Sequence, residues 1–349
     1  MTRRFARPAD LAACREMIRT GSRSFFIASK FLPGRVREAA YALYAFCRLS
    51  DDAVDCGGGP AEAVARLRAR LARIYAGDPE SEPVDRALAD TVSDFEIPKR
   101  LFDALLEGLE WDAAGRTYEE IGDLQDYAAR VAGSVGAMMA VLMGARSPDL
   151  AARACDLGSA MQLTNIARDV GEDARLGRLY LPRQWLREAG LDPDEWLADP
   201  VFCPQIADVT ARLLAMAEAL YTRADAGIHG LDPAFRPAIF AARHLYAGIG
   251  GRLRATGLNS IDRRTVLPTH VKLALVGRAL RQTVSRSAVT AAGAPLPQTA
   301  FLVRAIAEHP GPDWQAQGRR GRNLDSDLAW VVNLFSGLDD RTSPRRSVR

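Results

Sequence analysis

Ala39-Ala40-Tyr41-Ala42-Leu43-Tyr44-Ala45-Phe46-Cys47-Arg48-Leu49-Ser50-Asp51-Asp52-Ala53-Val54-Asp55 is apolar for several helical turns and then abruptly acidic. On a helix, residues four apart share a face with Cβ atoms roughly 5–6 Å apart, so Asp51 pairs with Asp55. A second stretch repeats the pattern: Leu157-Gly158-Ser159-Ala160-Met161-Gln162-Leu163-Thr164 runs into Asn165-Ile166-Ala167-Arg168-Asp169-Val170-Gly171-Glu172-Asp173. There Asn165, Asp169 and Asp173 form one stripe, and both faces offer only oxygen ligands. Like charges at this spacing cost a bare helix roughly 0.2–0.5 kcal/mol per pair, and neither face is expected to carry enough Lys or Arg to offset them. A solvated charged face is the ordinary reading of one such cluster. Two clusters, each following apolar turns, are instead expected to be partly buried, where carboxylates must be paired or metal-bound. The expected ion is Mg²⁺, with Mn²⁺ as the alternative, because a hard cation takes one or two carboxylates plus waters and substrate phosphates.

Outward from these stretches nearly every segment keeps the i, i+3, i+4 period, and alternating β-branched runs are missing, so the fold class is all-α. Pro8-Ala9-Asp10 opens a first helix that closes at Gly21, and Pro33-Gly34 precedes a long helix reaching about Asp55, which Cys56-Gly57-Gly58-Gly59-Pro60 ends. Further helices are expected near 61–76, 83–95, 98–112, 117–144, 149–173, 204–228, 233–256 and 268–286, with a short one at 182–189. Residues 1–308 are expected to form one all-α domain. From His309 to Arg349 the chain is rich in Gly, Pro and Arg, with 7 Arg against 5 Asp, and is expected to be a flexible tail whose apolar island, Trp330 to Phe335, is a docking or membrane-contact patch or a short terminal turn.

The 349 residues are 48% hydrophobic and 26% charged, with a net charge of only +3. The basic residues are almost all Arg, without the concentrated stripe of a nucleic-acid footprint, so no nucleic acid is expected as a partner. Cys14, Cys47, Cys56, Cys155 and Cys203 are scattered without metal-ligand spacing and read as reduced cytosolic thiols. The N-terminus lacks the apolar core of a secretory signal, and no run approaches the ~18 apolar residues of a membrane span.

Groups suited to a diphosphate flank the acids. Arg48 precedes the first cluster, Arg168 lies inside the second, and Gly21-Ser22-Arg23-Ser24 offers hydroxyls, backbone N–H groups and a guanidinium. Gly133 and Gly136 sit inside a helical stretch, where each costs about 1 kcal/mol relative to Ala. They either make room for a ligand chain or let two helices touch.

These motifs, together with Tyr127, Val131-Ala132-Gly133-Ser134-Val135-Gly136 and Gly177-Arg178-Leu179-Tyr180-Leu181-Pro182, resemble the squalene/phytoene synthase family, and within it the bacterial phytoene-forming enzymes, over residues 10–285. The resemblance implies an isoprenoid-synthase-type helical bundle with a central cavity holding two prenyl diphosphates and Mg²⁺. By motif, Asp51, Asp55, Asn165, Asp169 and Asp173 would hold metal. Gly21, Ser22, Arg23, Ser24, Tyr44, Arg48, Tyr127, Gln162, Arg168, Tyr246 and Arg263 would contact substrate, Arg263 being preferred over its neighbour Arg264. Asp51, Asp55, Asp169, Asp173, Arg48 and Tyr246 would be the catalytic set. Ala128 and Ala167 replace the cysteine and leucine common at those positions, removing no ligand.

The implied reaction is a prenyltransferase reaction: head-to-head condensation of two geranylgeranyl diphosphates through a cyclopropylcarbinyl diphosphate to phytoene, the first committed step of carotenoid biosynthesis. No NADPH is expected. Phe25, Phe26, Tyr44, Phe46, Tyr127 and Tyr180 would either face cations with π density or serve as core aromatics. The alternatives are a squalene, hydroxysqualene or diapophytoene synthase acting on two farnesyl diphosphates, and a silent assembly partner, which the intact ligand set argues against. Further implied partners are a membrane surface, touched transiently for product release, and other carotenoid-pathway enzymes. The expected location is cytoplasmic and peripheral at the inner membrane.

Overall fold

The computed structural model describes residues 4–56, 59–284 and 293–311; the side chains of Asp55 and Cys56 and the apolar island of the tail lie outside the described residues. Among the described residues there are helices and no strands. In chain order they are α1 (Pro8–Gly21), α2 (Arg23–Ser29), α3 (Gly34–Cys56), α4 (Pro60–Tyr75), α5 (Pro83–Phe95), α6 (Lys99–Ala113), α7 (Ile121–Ala128), α8 (Ser134–Leu142), α9 (Pro148–Arg175), α10 (Arg183–Glu188), α11 (Pro193–Ala198), α12 (Pro204–Gly230), α13 (Arg236–Ala255), α14 (Thr269–Val284) and α15 (Ala300–Ala307). Punctuation fixes their limits. The Ser147 hydroxyl accepts from Leu150 N, Pro148 occupies the first turn of α9, and Gly177 at φ +73° closes it.

The expected 117–144 helix is divided: α7 and α8 are joined by a π-helical turn at Ala129–Gly133, a local widening of the kind found at functional sites. Three short helices, α2, α11 and α15, were not expected. In the case of α2, Ser22 is an N-cap, its hydroxyl accepting from Phe25 N at 3.3 Å.

α9 is the central element, packed on by α8, α12, α13 and α15. Its approach to α8 and to the π-helical turn before it depends on two glycines. A Cβ on Gly136 would lie 2.9 Å from the Ala154 carbonyl carbon, and one on Gly158 would lie 2.7 Å from that of Ala132. Gly136 thus permits helix contact and also lines the cavity described below, whereas Gly133 faces Ser159 and Leu302. At the opposite end of α8, Arg146 ties three segments together. Its Nη1 donates to His309 O at 2.7 Å, and its Nη2 donates to Phe95 O at 2.6 Å and Glu96 O at 3.2 Å.

Candidate active site

A cavity of about 590 Å³ runs along α9, within the range of small-molecule sites. One helical stripe of α9 lines it from Leu150 through Leu157, Met161 and Asn165 to Asp173, while α3 contributes Leu43, Tyr44, Arg48 and Asp51. The two acidic stretches therefore face one chamber. Its mouth is polar and its depth is apolar.

Of the residues expected from the sequence, Tyr44, Arg48, Asp51, Tyr127, Gln162, Asn165, Arg168, Asp169 and Asp173 line the cavity. Gly21, Ser22, Arg23, Ser24 and Tyr246 do not. Gly21 and Tyr246 pack against that lining: a Cβ on Gly21 would lie 3.3 Å from Tyr44 Cζ, and Tyr246, hydrogen-bonded to Ser22, packs on Phe25 at 4.8 Å between centroids. Arg263 is a correction. It donates to Thr256 O at 3.1 Å, and its neighbour Arg264 is the one that lines the cavity. Asn259 sets that register by accepting from Ile261 N at 3.2 Å and Asp262 N at 3.1 Å.

The expected shortage of cations is also corrected. Arg48 Nη2 lies 2.6 Å from Asp52 and its Nη1 3.8 Å from Asp51. Asp169 is gripped from two sides, by Arg168, whose Nε donates at 2.7 Å, and by Arg264, whose Nε and Nη2 donate at 2.9 and 3.1 Å. Nor is the first cluster buried, since the Asp51 side chain is 53% exposed against 15% for Asp169. Among the described residues no three His, Cys, Asp or Glu groups converge as a ready metal site.

These environments spread the carboxylates apart. Burial opposes the Asp169 charge, but Arg168 and Arg264 outweigh it and hold the group below its ordinary value. Asp173 is pushed up to about 7 by burial first and by neighbouring Asp169 second. Asn165 Oδ1 is buried with no hydrogen-bond partner among the described residues. An orphaned amide oxygen one turn from Asp169, and a buried carboxylate whose charge Arg178 offsets only in part, form an all-oxygen set that fits Mg²⁺.

Sequence reading missed Asp112. It lines the cavity from α6 and accepts from Tyr127 Oη at 2.7 Å and Tyr180 Oη at 2.8 Å. The two rings stack at 5.2 Å, with Tyr118 against both. Burial pushes Asp112 up to about 6, and the two tyrosine hydroxyls only partly offset it.

Known proteins converge on this architecture. The squalene/phytoene synthase family model matches residues 18–272. The chain is 52% identical to a phytoene synthase of Cereibacter sphaeroides, with 97% of each chain covered, and 50% identical to one of Rhodobacter capsulatus, over 86% of this chain and 92% of that one. Among solved structures, a dehydrosqualene synthase in complex with ligand superposes with a TM-score of 0.73 at 32% identity, over 78% of this chain and 96% of that one. A squalene synthase from Alicyclobacillus acidocaldarius superposes with a TM-score of 0.66 at 27% identity, over 72% and 95%. With its helical bundle, its central cavity and these matches, the chain belongs to the squalene/phytoene synthase family.

Proposed function

We propose that this chain is a phytoene synthase, joining two geranylgeranyl diphosphates head to head. The observation that carries the reading is one continuous cavity, charged at its mouth and largely apolar along the rest of its length, in a chain 52% identical to a protein named phytoene synthase.

Asp51, Asn165, Asp169 and Asp173, with Asp55 on the same helix as Asp51, would hold Mg²⁺. When bound, the ion supplies positive charge that stabilises departing diphosphate. The residues of the chain do the rest. Arg48, Arg168 and Arg264 present guanidinium groups at the mouth, where their planar forks match phosphate oxygens and stand ready before the leaving group develops its charge. Tyr44 and Gln162 lie among them as hydrogen-bonding groups. Burial pushes the Tyr44 hydroxyl up to about 12, so it stays protonated and donates. The walls beyond Met161 exclude water from an allylic cation, which the double bond of the second substrate attacks; loss of a proton closes the ring of the cyclopropylcarbinyl diphosphate. After second ionisation and rearrangement, loss of another proton gives the C40 hydrocarbon with its central conjugated triene. Tyr127 and Tyr180 are positioned by Asp112 with their rings on the cavity wall, where π density favours cations.

The solved relative named dehydrosqualene synthase supports a second reading, in which the substrates are two farnesyl diphosphates. One experiment separates the two. Purified protein is incubated with Mg²⁺ and either diphosphate, with and without NADPH, and the hydrocarbon is identified. Phytoene from geranylgeranyl diphosphate, independent of NADPH, is the expected result, and Asp169→Ala is expected to lower kcat/KM by about 100-fold or more. Dehydrosqualene or squalene as the main product refutes the first reading.

The product is insoluble in water, and membrane contact at the mouth follows from the reading. Leu176 lines the cavity yet is 66% exposed, and Val266, two residues after Arg264, is 68% exposed. No helix among the described residues is long and apolar enough to cross a membrane, so the contact would be peripheral.

A further inference from the structure

The far end of the cavity contains one charged residue, and it is built in an unusual way. From Leu150 to Asp173 the lining stripe of α9 spans 24 residues, about 35 Å at the helical rise. The charged groups of the lining gather toward the acidic end, and beyond Met161 the α9 stripe is apolar except for Arg153. The Arg153 side chain is only 5% exposed and its head is turned out of the cavity. Its Nε lies 3.0 Å from Asp156 Oδ2, and its Nη2 donates to Ala294 O at 3.4 Å. Arg223 completes the latch from α12, with Nε donating to the same Asp156 oxygen at 3.0 Å and Nη2 to Ala294 O at 2.8 Å. Asp156 is fully buried, and neither it nor Arg223 nor Ala294 touches the cavity.

With the head anchored outside, what the cavity meets is the aliphatic stem. That stem lies flat on α12 because residue 227 is glycine: a Cβ there would sit 2.7 Å from Arg153 Cγ and closer still to its Cβ. Beside it, Ala140, Ala145 and Leu231 form a small apolar cluster separate from the main core, joined by Met143, Leu150 and Ile239. A buried ion pair is costly to desolvate compared with an apolar residue of similar volume. It does, however, fix the stem in one place, where a Met or Leu would change rotamer to make room.

We infer that the stem of Arg153, latched by Asp156 and Arg223, is a fixed stop that sets how long a prenyl chain one arm of the cavity accepts. Arg153 is thus a specificity-determining residue, and the inference rests on the proposed prenyl diphosphate chemistry. Removing the stem lengthens the arm. Pushing the stem inward shortens it.

The test compares kcat/KM for farnesyl, geranylgeranyl and geranylfarnesyl diphosphates in the Mg²⁺-loaded enzyme. Gly227→Ala, which drives the stem into the cavity, and Ile239→Phe, which fills the same end without touching the ion pairs, are expected to shift the ratio toward farnesyl diphosphate by about tenfold. Arg153→Ala is expected to shift it toward geranylfarnesyl diphosphate. A folded, active Gly227→Ala or Arg153→Ala with the wild-type ratios overturns the proposal. Because either variant can fail to fold, the wild-type enzyme is also photolysed with a geranylgeranyl diphosphate analogue carrying a diazirine at the tail end. Label on peptides containing Arg153 or residues 227–239 supports the stop, and label confined to other peptides overturns it. A wild-type enzyme that turns over none of the three diphosphates sinks the functional reading instead.

Discussion

Asp112 and Asp169 are carboxylates on the wall of the same cavity whose surroundings drive them in opposite directions. Asp169 has two guanidinium partners and is held low, while Asp112 has two phenols, and burial pushes it up to about 6 from 3.8. Between those values the folded chain binds more protons at Asp112 than the unfolded chain does. Its contribution to stability is therefore present at low pH and falls as pH rises through that window. Asp112→Asn has nothing to titrate, so its stability relative to wild type is expected to improve by about 1–2 kcal/mol from pH 4 to pH 7. Denaturant midpoints of both proteins at the two pH values check this, and a constant difference contradicts it. At this scale the acids of α3 and α9 were legible because they recur at one-turn spacing. Asp112 was not, since a single acid after Leu109-Glu110-Trp111 reads as an exposed face. The choice between Arg263 and Arg264 depends on the turn capped by Asn259, which adjacent letters do not reveal.

α8 and α9 meet backbone to backbone, and that contact shapes the cavity wall. Gly158→Ala puts a methyl 2.7 Å from the Ala132 carbonyl carbon, with no flexible side chain to yield. The expected cost is about 1–3 kcal/mol, read as a lower urea midpoint with unchanged slope. Long helices were legible from period alone: α9, at 28 residues, shows its apolar and acidic halves plainly. α2 and α11, at 7 and 6 residues, hold fewer than two turns, too little for a periodic pattern to emerge. The same shortness hid the helix that Arg23 opens: Ser22 caps it, and it sets Phe25 against Tyr246.

For the whole molecule, the all-α class followed from the sequence, whereas the continuity of one chamber along α9 did not, because its walls come from helices more than a hundred residues apart. The mouth of that chamber carries the membrane prediction. Leu176→Asp is expected to reduce sedimentation with phosphatidylglycerol-containing liposomes by about tenfold, with no change in Tm, and undiminished sedimentation would remove Leu176 from the contact. The last consequence belongs to Arg146. Its guanidinium joins carbonyls at Phe95 and Glu96 to the carbonyl of His309, so the knot cannot be tied until His309 has been translated and has left the ribosome. At 5–20 residues per second the stretch from Glu96 to His309 alone takes roughly 10–45 s to make. During that interval the nascent chain carries its early acidic helix without the late segment that completes the bundle, a window in which chaperones rather than substrates are the natural company of the growing polypeptide.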